Sequence, residues 1–202
     1  MELKIRRTQV IVEERREEAG RRADMPMRKV AAVAVIENPL AGRYVEDLAP
    51  LVVVDIRSKA SESADAQLTP DDLKAWTDAN GDIPEGAIVA MLSGWGDHVA
   101  TDKFRNVGDD GKTMHFPGFH VEAAQALMEQ PSVKAIAVDT LSLDFGMSPD
   151  FIVHNTWLPS GRYGIEGIAN LDRLPASGAT IVVGAPKIRG GTGGPARIFA
   201  MV

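Results

Sequence analysis

From residue 51 onward, apolar positions fall into short runs rather than long stripes. Five of these runs read "LVVVDI", "GAIVAML", "VKAIAVDTLSL", "ATIVVGAPKI" and "ARIFAMV". Each is brief, rich in β-branched residues and apolar on successive positions, the pattern of a strand buried on both faces. The intervening segments change period. In "LTPDDLKAWTDANG", Thr69 is a suitable N-cap, Pro70 suits the first helical position and Gly81 a stop. In "PGFHVEAAQALMEQ", Val121, Ala124, Leu127 and Met128 share one helical face. "GIANLDRLP" reads as a helical turn. Strands alternating with helices predict an α/β fold, and the late succession of strands predicts a mixed sheet.

Before residue 51 the texture differs. Residues 2–14 mix β-branched and charged positions and predict an exposed strand, followed by a solvated turn in "RREEAGRRAD". Pro26 opens a predicted helix through "MRKVAAVAVIEN", which Asn38 and Pro39 end. "RYVEDLAPL" predicts a second short helix. The change near Leu51 is the one candidate boundary, dividing residues 1–52 from 53–202. The chain shows no repeat and no low-complexity segment.

Composition narrows the functional classes. Hydrophobic residues make up 45% and charged residues 25%, as in an ordinary globular protein. The net charge of −6 argues against a nucleic-acid partner, which would favour a basic face. The absence of cysteine removes thiolate ligands, disulfides and cysteine nucleophiles, and fits a cytoplasmic protein. The opening residues lack the apolar core of a secretory leader, and no apolar run reaches membrane-spanning length. The expectation is a cytoplasmic protein with no membrane partner.

Without thiols, imidazole and carboxylate are the natural donors for zinc or manganese. The four histidines are His98, His115, His120 and His154, and none occurs in the first 97 residues. His154 and Glu166 lie too far apart in sequence for a motif on one helix, so they could share a metal only if the fold brings them together. The alternative is a loop histidine and a carboxylate at a helix start. Asp139 and Asp144, in "VDTLSLD", end a predicted strand, where α/β folds place functional groups, although Asp139 could equally cap the loop. Ser93 follows a strand but lacks the preceding glycine of a nucleophile elbow. The glycine-rich "SGWGDH" and "KIRGGTGGPAR" lack the spacing of a phosphate loop and read as tight bends, with Lys187 and Arg189 either facing an anion or solvated.

Several ordered blocks carry a resemblance: "VVVDIRSKA", "HFPGFHVEAAQAL", "VKAIAVDTLSLD", "FIVHNTWLPSGRYGIEGIANLDRLP" and "PKIRGGTGGPARIFA". Together they resemble the cyclase family, which includes bacterial kynurenine formamidases, from about residue 53 to 202. The resemblance implies an α/β mixed sheet or flattened barrel with flanking helices, and assembly as a homo-oligomer. It also implies metal-dependent hydrolysis of a small formamide or cyclic amide, with zinc or manganese as cofactor. His154 in "FIVH" and Glu166 in "GIEGIANL" match the family's two late ligand positions.

The chain departs from the family in one respect. The early His-x-Gly-Thr-His-x-Asp-x-Pro-x-His segment, which should precede "VVVDIR", has no counterpart here. Residues 26–51 resemble instead the opening of the bacterial amino acid synthesis family, so the chain reads as a fusion. Asn38, Arg43 and Tyr44 are the polar residues that segment would offer a ligand. His115, His98, His120 or Asp139 would have to complete the metal site. The resulting expectation is a metal-dependent amidohydrolase with an impaired site; the alternative is a catalytically inactive oligomerisation or interaction module.

Overall fold

The computed structural model describes residues 27–28, 33–37, 46–130, 133–186, 188 and 191–202, with backbone alone at 27–28, 33–37 and 46–47. The strands are β1 (Met27–Arg28), β2 (Val33–Glu37), β3 (Glu46–Asp55), β4 (Gln67–Leu68), β5 (Ile88–Leu92), β6 (Gly118–Phe119), β7 (Ala135–Val138), β8 (Tyr163–Glu166), β9 (Ala179–Gly184) and β10 (Gly193–Met201). The helices are α1 (Arg57–Glu62), α2 (Pro70–Asn80), α3 (Val121–Glu129) and α4 (Ile152–Trp157).

Eight strands form one mixed sheet in the order β1-β10-β2-β8-β7-β5-β3-β9, and β9 also pairs with β10. β3, β5, β7 and β8 run parallel. β2 and β9 run against them, β2 beside β8 and β9 beside β3. Because β10 bonds both β2 and β9, the sheet curls round and meets itself. β4 and β6 form a separate parallel pair. This is the α/β mixed sheet with flanking helices that the apolar runs predict.

Strand alternation divides the core in two. Leu51, Val53, Ile88, Ala90, Ala135, Ala137, Ile165, Ile181 and Ile198 point to one face and pack together inside the curl. Val52, Val54, Val89, Met91, Ile136 and Val138 point to the other, where they meet Leu73 and Trp76 of α2, Ala124 and Leu127 of α3, and Val153 and Trp157 of α4. A strand buried on both faces needs no polar alternation, which is why these segments read as continuous apolar runs.

The helix starting at Thr69 and Pro70 and stopping at Gly81 forms as predicted. Two other expectations are corrected. The helix predicted through Asn38 is replaced, where residues are described, by β1 and β2. β2 ladders with β10 on one side and β8 on the other. A helix there would leave both of those edges without partners, and Val33, Val35 and Ile36 are β-branched residues that suit a sheet. The second predicted helix, over "RYVEDLAPL", is from Glu46 the first half of β3. Pro50 is tolerated because β5 pairs with β3 only from Leu51 on, so Pro50 has a strand neighbour on one side alone. β3 runs unbroken through the composition change at Leu51. The exposed strand predicted at 2–14, together with Asn38, Arg43 and Tyr44, lies outside the described residues.

The parallel strands deliver their C-terminal ends to one rim. Asp55 ends β3 and Glu166 ends β8, while Ser93 and Asp139 directly follow β5 and β7. Among the described residues, no helix is long and apolar enough to cross a membrane.

Candidate functional site

Glu166 and His154 reach each other from adjacent elements. Glu166 is the last residue of β8, and His154 is the third residue of α4, the short helix that precedes β8 in the chain. The last residue of α4, Trp157, is fully buried and its indole Nε1–H donates to the Tyr163 carbonyl at 2.9 Å, tying the helix to the start of β8. That tie sets the helix beside the strand end. His154 Nε2 then lies 3.1 Å from Glu166 Oε1, with only 14% and 11% of the two side chains exposed.

A second carboxylate holds the other side of the ring. Asp144 Oδ2 lies 2.5 Å from His154 Nδ1 and accepts the His154 backbone N–H at 3.1 Å. Its Oδ1 accepts the Val153 N–H at 2.8 Å and the Ser148 hydroxyl at 3.1 Å. The Asp144 side chain is 1% exposed. Burial works against its ionisation, but the His154 ring and the two helix amides outweigh it and hold the carboxyl below its usual range. Glu166 is anchored in turn, since its Oε1 accepts the Leu143 N–H at 3.2 Å.

Glycines make room for this arrangement. A Cβ on Gly118 would stand 2.2 Å from the Phe145 nitrogen and 2.4 Å from the Asp144 carbonyl carbon. One on Gly164 would stand 2.6 Å from Leu143 Cδ1. The segment carrying Leu143 and Asp144 therefore comes this close because Gly118 lacks a side chain against its backbone, and Gly164 leaves room for the Leu143 side chain. Phe151, directly before α4, has φ 52° and ψ 45°, a left-handed conformation costly for a bulky residue. Its exposed ring meets that of His154 edge-on, with centroids 6.0 Å apart.

The remaining candidates are engaged elsewhere. Asp139 accepts the Ser93 hydroxyl at 2.5 Å, the Ser93 N–H at 3.1 Å and the Gly94 N–H at 2.8 Å. Burial raises its carboxyl above the ordinary value, against these hydrogen bonds. Asp139 thus braces the turn after β5, and Ser93 pairs with a carboxylate rather than a histidine. His115 Nδ1 lies 2.9 Å from Asp65, and its backbone N–H and C=O bond Asn106. His120 caps α3, its Nδ1 accepting the Glu122 N–H at 3.2 Å. His98 stacks edge-on against Trp95, with centroids 5.2 Å apart. Lys187 and Arg189 lie outside the described residues.

His154 and Glu166 are a borderline nitrogen donor and a hard oxygen donor, a set suited to zinc or manganese. The ring's other nitrogen faces a carboxylate, one of the partners that histidine metal ligands ordinarily have there. A catalytic metal ordinarily takes three protein donors, and among the described residues no group of three or more His, Cys, Asp or Glu side chains is placed to hold one. The pair fits as two donors of a site that the described residues do not complete. The sequence singled out His154 and Glu166 but not Asp144, which supports the histidine. Its position in "VDTLSLD" marked it only as a rim acid, and the ten residues separating it from His154 follow no helical or strand period.

Comparison with known proteins bears on the family and the fold. The cyclase family model matches residues 37–145, more than half of the 202-residue chain, although the match stops short of His154 and Glu166. The isatin hydrolase of Roseibium aggregatum is 34% identical over 159 residues, which cover 77% of this chain and 60% of the relative. The chain therefore spans less than two thirds of that protein's length. A crystal structure of an isatin hydrolase bound to the product analogue thioisatinate superposes with a TM-score of 0.75 at 25% identity, covering 90% of this chain and 84% of the other. A structure described as a potential metal-dependent hydrolase with cyclase activity has a TM-score of 0.59 at 20% identity, over 84% of this chain and 76% of the other, a likeness of fold. By the family match and the fold together, the chain belongs to the cyclase family.

Proposed function

We propose that this chain is a metal-dependent hydrolase that opens a small cyclic amide of the isatin type. The observation that carries the reading is the convergence of His154 Nε2 and Glu166 Oε1 to 3.1 Å from two different elements, at the rim where the parallel strands end. Isatin hydrolases among the relatives favour a cyclic amide over the open formamide of kynurenine formamidases.

A divalent cation held there, zinc or manganese, would polarise the amide carbonyl and supply a hydroxide near neutral pH. The protein's own contribution is positional. Leu143 N–H fixes one oxygen of Glu166, and α4 fixes His154 through the Trp157–Tyr163 bond. Phe151, Ile152 and Met147 expose apolar surface close to His154 in sequence, suited to the aromatic ring of such a substrate. The assembly proposed with this activity is a homo-oligomer, read by sedimentation.

The test is hydrolysis of isatin and of N-formylkynurenine by the full chain, loaded separately with zinc and with manganese. The proposal expects ring opening of isatin, lost in Glu166→Gln. Turnover of neither substrate with either metal would overturn it. The absence of any histidine before His98 favours a second reading, an inactive family member that persists as an interaction module. The two readings part on this assay. Unchanged turnover in Glu166→Gln would show that any activity belongs to another site.

A further inference from the structure

The imidazole of His154 stands between two carboxylates, and the two distances distinguish the tautomers of its neutral form. A neutral imidazole carries one N–H, so it can donate to only one of them. Nδ1 lies 2.5 Å from Asp144 and Nε2 lies 3.1 Å from Glu166. At 2.5 Å two acceptors without a proton between them repel strongly, whereas 3.1 Å is the looser contact. Asp144 is also the more enclosed of the two carboxylates, at 1% against 11% exposure. The same carboxylate grips the backbone beneath the ring, accepting the N–H groups of both Val153 and His154.

We propose that Asp144 is a positioning residue: it holds the Nδ1–H tautomer of His154 and so aims the Nε2 lone pair at Glu166, defining where a cation binds. The inference rests on the metal-binding reading of the pair given above and adds a residue to it. In the neutral ring with Nδ1–H directed to Asp144, Nε2 and Glu166 Oε1 are two acceptors facing each other, an arrangement that a cation between them, or a second proton on the ring, relieves. Ser148, whose hydroxyl donates to Asp144 Oδ1, restrains the carboxylate from the far side. The Cβ-free approach of Gly118 to the Asp144 backbone lets the segment come close enough to make these bonds.

The experiment has two readouts besides turnover. The first is zinc affinity of the full chain by competition with a chromophoric chelator, for the wild type and Asp144→Asn. An asparagine has one carbonyl oxygen; with that oxygen kept on the Val153 N–H, its NH2 group faces Nδ1 and donates to it, which disfavours the Nδ1–H tautomer. Loss of such a partner typically weakens metal binding by about 10–100-fold. The second is the long-range ¹H–¹⁵N spectrum of the neutral His154 ring, assigned by its disappearance in His154→Gln. The proposal expects the Nδ1–H pattern in the wild type, a shift toward Nε2–H in Asp144→Asn, and zinc affinity at least about 10-fold lower in that variant. A folded Asp144→Asn with unchanged affinity and tautomer would overturn the proposal. So would an Nε2–H wild-type ring, a result that stands even if the variant fails to fold. If the wild type binds no zinc, the metal reading of the pair fails, and the wild-type ring spectrum still decides the role of Asp144.

Discussion

At the scale of single residues, the site is a chain of contacts that begins with an indole. The Trp157 Nε1–H to Tyr163 carbonyl bond is buried, and it fixes the distance between α4 and β8. Trp157→Phe keeps most of the packing but leaves that carbonyl without its donor. The cost expected is about 1–3 kcal/mol, read as a lower chemical denaturation midpoint. Metal affinity should fall with it, because the tie also positions His154; an unchanged affinity would show that α4 is held by packing alone. On the proposed function, His154→Ala and Glu166→Gln should each lower isatin turnover by more than about 100-fold, the upper end of what losing a supporting partner costs. His154 and Glu166 stood out in the sequence because the blocks around them resemble a family. Nothing in their own spacing marked them, since eleven residues and a change from helix to strand separate His154 from Glu166. Asp144 was legible only as an acid at a strand end. Its role depends on α4 folding back over the loop, which is a tertiary event that sequence periodicity does not record.

At the scale of elements, the helix with the clearest start signal formed where expected, and the physics of that start is testable. Asp72 accepts the Thr69 N–H at 2.6 Å and the Thr69 hydroxyl at 2.8 Å, and it pairs with Lys59 at 2.6 Å. Burial works against its ionisation, but Lys59 and the two Thr69 donors outweigh it and hold the carboxyl below its ordinary value. A carboxyl whose folded pKa is depressed adds stability that is fully present above its unfolded value, about 3.9, and is lost as pH falls through the folded value. Asp72→Ala should therefore cost about 1–3 kcal/mol at neutral pH, and the difference from wild type should shrink in acid. A difference that stays constant from neutral pH to below pH ~3 would contradict the ionic account. The close approach at Gly118 belongs to this scale too. Gly118→Ala forces a Cβ against the Phe145 nitrogen and the Asp144 carbonyl carbon, which are backbone atoms that cannot rotate away. It should cost about 3 kcal/mol and weaken metal binding by moving Asp144. The elements misread from sequence share one cause. The start and stop signals around "VAVIE" and the sequence of "EDLAPL" predicted helix, yet the β-branched residues of the first suit a strand and β8, β9 and β10 offer both segments open edges. Tertiary pairing overrides weak local preference.

At the scale of the whole molecule, the fold supplies a rim. Four parallel strands place Asp55, Ser93, Asp139 and Glu166 at one end of a sheet whose two remaining edges meet through β9 and β10. The fold class was legible because strands buried on both faces leave continuous apolar runs, and the structure shows why: one face packs inside the curl and the other against α2, α3 and α4. The direction of the first strands was not legible, because β1 and β2 are defined by what they pair with. The rim acids fall into two kinds. Asp55 and Asp139 are used for structure, through Arg57 and the turn after β5, whereas Glu166 faces a histidine that another buried carboxylate orients. That asymmetry is the ground for proposing one place on the rim for chemistry. The most direct test is elemental analysis of the purified full chain for zinc and manganese, beside His154→Ala. The account predicts about one divalent metal per chain in the wild type and loss of it in the variant. A wild type that holds neither metal after dialysis against an excess of both would contradict it.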